Sequence, residues 1–131
     1  MKRIYVAGNY SSTNILQVFE NMRLGIKKST ELFSRGYSPF CPWLDYHFCL
    51  MKSEDSIFTV ENFYNYSLAW LEVSDIMYIL PNNENSNGTQ KEIKRAKELE
   101  IPIVYSDEEL QDLENGQRMI DFQTSVKDLE M

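Results

Sequence analysis

The segment most suited to chemistry is Thr89–Glu92, which has the pattern Thr-x-x-Glu at a predicted helix start. This is the spacing of a capping box, in which Thr89 caps the helix and Glu92 bonds back to the Thr89 N–H. Such a cap stabilises a helix by about 1 kcal/mol. The helix dipole would also keep Glu92 ionised, as a nucleophile requires. The local sequence therefore leaves two interpretations of Glu92 open, a structural cap and a reactive carboxylate.

Other motifs that carry chemistry are missing. The sequence contains no G-x-x-x-x-G-K-[ST], no G-x-G-x-x-G and no G-x-S-x-G, and Gly8 is a lone glycine after the first predicted strand. His47 is the only histidine, and Cys41 and Cys49 form no paired metal motif. We therefore expect no metal and no other cofactor, and we interpret His47 as either a plain loop residue or a ligand contact.

The composition indicates one compact domain that does not bind polyanions. The chain has 131 residues, 43% hydrophobic, and a net charge of −7. Eight acidic and two basic residues lie from Asp107 to Met131, so this tail carries −6 and the remainder −1. We expect neither long nucleic acid nor a membrane as a partner, although one small phosphate could bind at a helix start. With no long apolar segment at the N-terminus or elsewhere, we expect a cytoplasmic protein.

Predicted strands and helices alternate along the chain. The strands are predicted at 3–8, 37–42, 75–81 and 101–106, and the helices at about 14–34, at 59–73 and after Gly88. Residues 43–57 are rich in aromatic side chains and are predicted to form an irregular lid or binding loop. The alternation predicts an α/β domain with a short parallel sheet of four or five strands. Ligands of such sheets lie beyond the carboxyl ends of the strands, which directs attention to loops 8–14, 42–57 and 81–89.

Several segments occur in a recognisable order: IYVAGNYS (4–11), GYSPFCP (36–42), SLAWLEVSDIMYILP (67–81), SNGTQKE (86–92) and EIPIV (100–104). Together they resemble the nucleoside 2-deoxyribosyltransferase superfamily, and most of all its small phage and bacterial members, similar to deoxynucleoside 5′-monophosphate N-glycosidases. The resemblance covers residues 3 to about 106 and implies a flavodoxin-like or Rossmann-like three-layer sandwich. The tail, 107–131, lies outside it and is predicted to be a helix that packs on the domain or on a partner subunit.

The resemblance also implies an activity. Members of this superfamily cleave the N-glycosidic bond of 2′-deoxynucleosides or their 5′-monophosphates. By resemblance, Glu92 would attack C1′, Tyr5 would orient Glu92, and the covalent sugar would pass to another base or to water. Without the resemblance, Tyr5 is simply a core or strand-end tyrosine. The resemblance further implies a homodimer or larger homo-oligomer, and a substrate that contacts Gly8, Asn9, Tyr10, Ser11, His47 and Ser67.

Two positions depart from the characterised enzymes of the superfamily. Ser67 stands where they carry an aspartate that helps to handle the leaving base. Asp45, Asp55 or Asp75 would then have to supply the proton to that base. For Asp75 a purely structural role is the alternative. Ser86 stands where the nucleoside enzymes carry another aspartate and where the monophosphate-cleaving relatives carry a serine for the 5′-phosphate.

Three hypotheses of function remain open, and the first is the enzyme that the resemblance implies. Ser86, with Gly88 and Thr89 at a helix start, would make a sensible phosphate cradle. The missing acid at Ser67 keeps a second hypothesis open, a non-catalytic nucleotide-binding module that acts as a sensor or sponge. A structural protein that uses the fold for assembly is a third.

Overall fold

Four parallel strands form the centre of the structure, a computed structural model that describes residues 1–51, 58–81, 83 and 86–130. The strands lie in the order β2-β1-β3-β4. Their bounds are β1 Arg3–Ala7, β2 Ser38–Phe40, β3 Ile76–Ile79 and β4 Ile103–Val104. All three strand pairs are parallel. The predicted α/β fold with a short parallel sheet is therefore confirmed, and β2, which contains Pro39, is an edge strand.

Helices cover both faces of the sheet. On one face, α1 (Ile15–Ser34) and α5 (Asp107–Glu130) pack against a core cluster that includes Ile4, Val6, Leu32 and Leu110. On the other face, α3 (Val60–Leu71) and α4 (Asn87–Glu98) pack against Tyr5, Ala7, Leu71, Met77, Ile79, Ile93 and Ala96. Because side chains alternate across a strand, Tyr5 points to the face covered by α3 and α4. That placement brings the Tyr5 ring close to α4.

The predicted helix 14–34 is confirmed, and Gly36 follows its end with a φ of +95°. The apolar residues of this helix, however, do not all lie on the side that faces the core. Phe19 and Phe33 are 57% and 66% exposed. The buried positions are instead Asn21, Gly25, Ser29 and Leu32. Small side chains on this side let α1 approach the body of the protein closely, and a large residue from the next segment fills the space.

The segment predicted as an irregular loop, 43–57, is partly helical, which corrects that prediction. Pro42–Asp45 form a 3₁₀ turn and Tyr46–Leu50 form the short helix α2. Pro42 suits the first turn of a helix because the missing N–H would be unpaired there. Residues 52–57 lie outside the described part of the chain.

The acidic tail forms α5, whose first turns pack on the sheet. Leu110 is fully buried, whereas Ile120 and Phe122 are 58% and 66% exposed. Asp107 fixes the start of the helix through Tyr78 Oη, 2.9 Å from Asp107 Oδ1, and through an ion pair with Lys28. Among the described residues, no helix combines the length and the apolar character that a membrane crossing requires.

Candidate active site

A cavity of about 380 Å³ opens beyond the carboxyl ends of β1 and β3. In the order β2-β1-β3-β4 the connections from β1 and from β3 lead toward opposite edges of the sheet, so a topological switch point lies between β1 and β3. Such a point is the usual ligand position in doubly wound sheets. The volume is that of a small-molecule site. Its lining comes from the loop after β1, the 3₁₀ turn, α3 and the start of α4, and includes Gly8, Asn9, Tyr10, Ser11, Asp45, Ser67, Ser86, Gly88, Thr89 and Glu92. Ten residues suggested by the sequence therefore share one cavity.

The start of α4 shows whether Thr89 and Glu92 form a capping box. The N-cap is Ser86, whose Oγ accepts a hydrogen bond of 3.1 Å from the Thr89 N–H. Thr89 lies inside the first turn, where its Oγ1 donates to the Gly8 carbonyl over 3.1 Å. The predicted capping box of Thr89 and Glu92 is therefore wrong, because Ser86 already caps the helix. Glu92 lies one turn further along α4, and its carboxyl is free to point into the cavity.

Glu92 meets Tyr5 at the base of the cavity. The Tyr5 Oη donates a hydrogen bond of 2.8 Å to Glu92 Oε1. Burial raises the pKa of the Glu92 carboxyl from 4.5 to about 7, and the bond from Tyr5 opposes that rise. Burial, and then the Glu92 charge, raises the pKa of the Tyr5 phenol well above its ordinary value. Tyr5 thus remains a protonated donor that holds Oε1 of a carboxyl that lines the cavity.

Ser67 lies beside this pair rather than at the surface. It belongs to α3, is 5% exposed and lines the cavity. A hydrogen bond from its hydroxyl lowers the pKa of the Tyr5 phenol, so Ser67 is a second partner of that phenol besides Glu92. A serine hydroxyl is not acidic near neutral pH. Ser67 can therefore hold Tyr5 or a ligand in place, but it does not replace a carboxylic acid.

The first turn of α4 forms one rim of the cavity. The Ser86 and Thr89 hydroxyl oxygens lie 2.8 Å apart, and Thr89 is 2% exposed. A Cβ at Gly88 would stand 3.0 Å from the Tyr64 ring, which packs from α3 and carries Lys91 Nζ at 4.6 Å from its centroid. The absence of a side chain at Gly88 thus lets the Tyr64 ring pack close to this turn. Ser86 and the N–H groups ahead of Thr89 are the donors that an anion could reach.

The opposite wall is built on Trp43, which sequence reasoning missed. The indole is 1% exposed, and its Nε1 donates to the Asn9 carbonyl over 3.1 Å. It packs on α1 where Gly25 leaves room, since a Cβ there would lie 2.2 Å from the ring. Asp45 ends the same 3₁₀ turn, and its partner is the Tyr10 phenol. A glycine inside the predicted helix 14–34 was the available signal for this close approach.

Two other residues suggested by the sequence, His47 and Asp75, do not line the cavity. His47 is on α2, its ring against Tyr46 with centroids 4.3 Å apart, and it is absent from the cavity lining. Asp75 accepts a hydrogen bond of 2.8 Å from the Arg3 N–H at the amino-terminal ends of β1 and β3, which fits the structural alternative. Asp55 lies outside the described residues. Within the described ranges, no three His, Cys, Asp or Glu side chains are grouped in a way that could hold a metal ion.

Comparison with known proteins places the chain in a family. The model of that family matches residues 2–106, which is the α/β domain without α5. The chain belongs to the family described as Domain of unknown function (DUF7768). No curated protein matches the chain.

Among solved structures, the fold resembles the 2-deoxyribosyltransferase of the psychrotolerant bacterium Bacillus psychrosaccharolyticus, a biocatalyst for the synthesis of nucleosides. The TM-score is 0.57 at 20% sequence identity, and the match covers 77% of this chain and 69% of that one. At this identity the similarity shows a shared fold. The predicted resemblance to the 2-deoxyribosyltransferases is therefore supported at the level of the fold.

Proposed function

We propose that this DUF7768 protein cleaves the N-glycosidic bond of 2′-deoxynucleosides or their 5′-monophosphates, through a covalent deoxyribosyl intermediate on Glu92. The observation that carries the proposal is the Glu92 carboxyl at the base of the cavity, with Oε1 held by Tyr5 at 2.8 Å. The similarity of fold to a 2-deoxyribosyltransferase agrees with this class of chemistry.

In the proposed reaction, the two oxygens of the Glu92 carboxyl have different roles. Tyr5 holds Oε1, so Oε2 attacks C1′ while the bond from C1′ to the base breaks and its electrons leave with the base. Positive charge grows on the sugar in this transition state, and a close carboxylate stabilises it. With a pKa of about 7, Glu92 is ionised in a large fraction of molecules at neutral pH and is more nucleophilic than an ordinary carboxylate. Water or a second base then takes the sugar from Glu92.

The start of α4 favours substrates that carry a 5′-phosphate. Ser86 and the first turn of the helix line the same cavity as Glu92, and the helix dipole attracts an anion. We therefore propose deoxynucleoside 5′-monophosphates as the preferred substrates. The phosphate would form hydrogen bonds with Ser86 and with the backbone at Gly88.

A chromatographic assay for released base tests this function. The purified protein is incubated with the four deoxynucleosides and the four 5′-monophosphates, with and without an acceptor base, beside Glu92→Ala. We expect release by the native protein and no release by a folded Glu92→Ala variant. Tight nucleotide binding without release would support the alternative, a nucleotide-binding module, which the serine at position 67 favours. Absence of any thermal shift with nucleotides at high concentration would leave a structural role.

The homo-oligomer expected from the resemblance stays part of the proposal. Apolar side chains are exposed on α1, at Phe19 and Phe33, and on the second half of α5, at Ile120 and Phe122. These are surfaces that a second copy could cover. Light scattering coupled to size-exclusion chromatography would measure the mass, and a monomer at high concentration would contradict the assembly.

A further inference from the structure

The proposed reaction needs a proton donor that Glu92 and Tyr5 cannot supply. A base that leaves C1′ with the bonding electrons is a poor leaving group unless it takes up a proton. Glu92 attacks as the ionised carboxylate, and the Tyr5 proton is committed to Glu92 Oε1. Ser67 offers only a weakly acidic hydroxyl. Among the described residues that line the cavity, one further carboxylic acid remains, and it is Asp45.

Asp45 is presented to the cavity by an anchored element. It ends the 3₁₀ turn that begins at Pro42, and the buried Trp43 of this turn is fixed by its bond to the Asn9 carbonyl. The backbone of Tyr10 is fixed as well, because its carbonyl accepts a hydrogen bond of 3.2 Å from Asn21 Nδ2. The Asp45 carboxyl therefore has a defined position on the wall opposite α4, with the Tyr10 phenol as its partner.

The electrostatic surroundings favour an acid at this position. Burial raises the pKa of the Asp45 carboxyl, while the hydrogen bond from Tyr10 opposes that rise. The proton is therefore retained to higher pH than in an exposed aspartate. The Asp45 charge also contributes to the raised pKa of Tyr5, which indicates that the two walls act on each other across one cavity.

We propose that Asp45 is the general acid that protonates the departing base, in place of an acid at position 67. This inference rests on the proposed function. The O–H bond of Asp45 breaks, its proton moves to a ring nitrogen of the base, and the electrons of the broken C1′–N bond remain on that base. The Asp45 carboxylate then removes a proton from the water or acceptor base that attacks C1′ and displaces Glu92. Asp45 is thereby returned to its acid form.

The test compares two leaving groups in the same protein sample. 2′-Deoxyguanosine 5′-monophosphate requires protonation of its base, whereas its 7-methyl derivative carries a positive base that departs as a neutral molecule. We expect Asp45→Asn to slow release of guanine by about 10²- to 10⁴-fold. Release of 7-methylguanine by the same variant should stay within a few-fold of the native rate. Asp112→Asn, an exposed aspartate on α5, should match the native protein on both substrates.

The outcomes separate the two levels of the proposal. Unchanged guanine release by Asp45→Asn, or an equal loss on both substrates, would overturn the role of Asp45 while the glycosidase function stands. No release of base by the native protein from any of the four 5′-monophosphates, or from the 7-methyl derivative, would overturn the glycosidase function and, with it, the role of Asp45. If Asn destabilises the fold, as thermal unfolding would show, Asp45→Ser provides the same comparison of leaving groups.

Discussion

Replacement of Glu92 by glutamine should stabilise the protein at alkaline pH, because the ionised carboxylate at this partly buried position destabilises the folded state. Glutamine keeps the oxygen that accepts the bond from Tyr5 and removes the charge. A carboxyl whose pKa is higher in the folded than in the unfolded state favours folding only while it is protonated. Its contribution is therefore lost as the pH rises from 4.5 through about 7.

The size of the effect follows from that pKa change. A rise from 4.5 to about 7 corresponds to roughly 3 kcal/mol of folding free energy when the carboxyl is fully ionised. At pH 5.5 about 1 kcal/mol of this penalty is already present, so the advantage of glutamine grows by about 2 kcal/mol up to pH 8.5. The cavity admits water to Glu92, which is only partly buried, and this reduces the expected difference to about 1–2 kcal/mol.

Urea denaturation of the native protein and Glu92→Gln at pH 5.5 and pH 8.5 measures this difference. Glu98→Gln is the matched control, since Glu98 is an exposed carboxylate on the same helix and pairs with Arg95 at the surface. The control should lose at most about 1 kcal/mol, with no gain at high pH. A Glu92→Gln variant that is less stable than the native protein at pH 8.5 would refute the reasoning. It would show that Glu92 stabilises the fold as a carboxylate.

Four further substitutions test the site and the packing that supports it. Tyr5→Phe removes the bond that lowers the pKa of Glu92, so the rise of activity with pH should move to higher pH; an unshifted pH–rate profile would contradict this. Gly25→Ala forces a Cβ onto the buried tryptophan and should destabilise by about 1–3 kcal/mol in thermal unfolding. Gly116→Ala, with open space around it, should instead stabilise by up to about 1 kcal/mol. Ser86→Asp keeps a good helix cap but should weaken binding of monophosphates about tenfold and leave nucleosides unaffected in calorimetry; equal affinities would remove Ser86 from a phosphate site.

The fold could be predicted from the sequence because its elements are locally encoded. Short apolar runs alternate with helical periodicity, and that alternation permits few arrangements other than a parallel sheet between helices. The orientation of α1 could not be predicted in the same way. Its apolar residues suggest one face, but the buried face is set by Trp43 packing on Gly25, a contact between residues 18 positions apart. Periodicity within one helix contains no information about that partner.

The candidate site shows a similar division. Two overlapping capping patterns are present, Ser86 to Thr89 and Thr89 to Glu92, and local sequence does not decide between them. The tertiary structure decides, because the Thr89 hydroxyl bonds to the Gly8 carbonyl at the end of β1. The pairing of Tyr5 with Glu92, 87 residues apart, was expected from the family resemblance and not from any local pattern.

The central claim is that Glu92 becomes covalently attached to the sugar, and trapping that intermediate tests it most directly. A deoxynucleoside 5′-monophosphate with fluorine at C2′ should form the adduct with Glu92. That adduct should then hydrolyse slowly, because fluorine destabilises positive charge at C1′. After acid quench and proteolysis, mass spectrometry should find one fluorinated deoxyribosyl phosphate on the peptide that contains Glu92, and none in Glu92→Gln. Release of base without an adduct, or an adduct on another residue, would contradict the account.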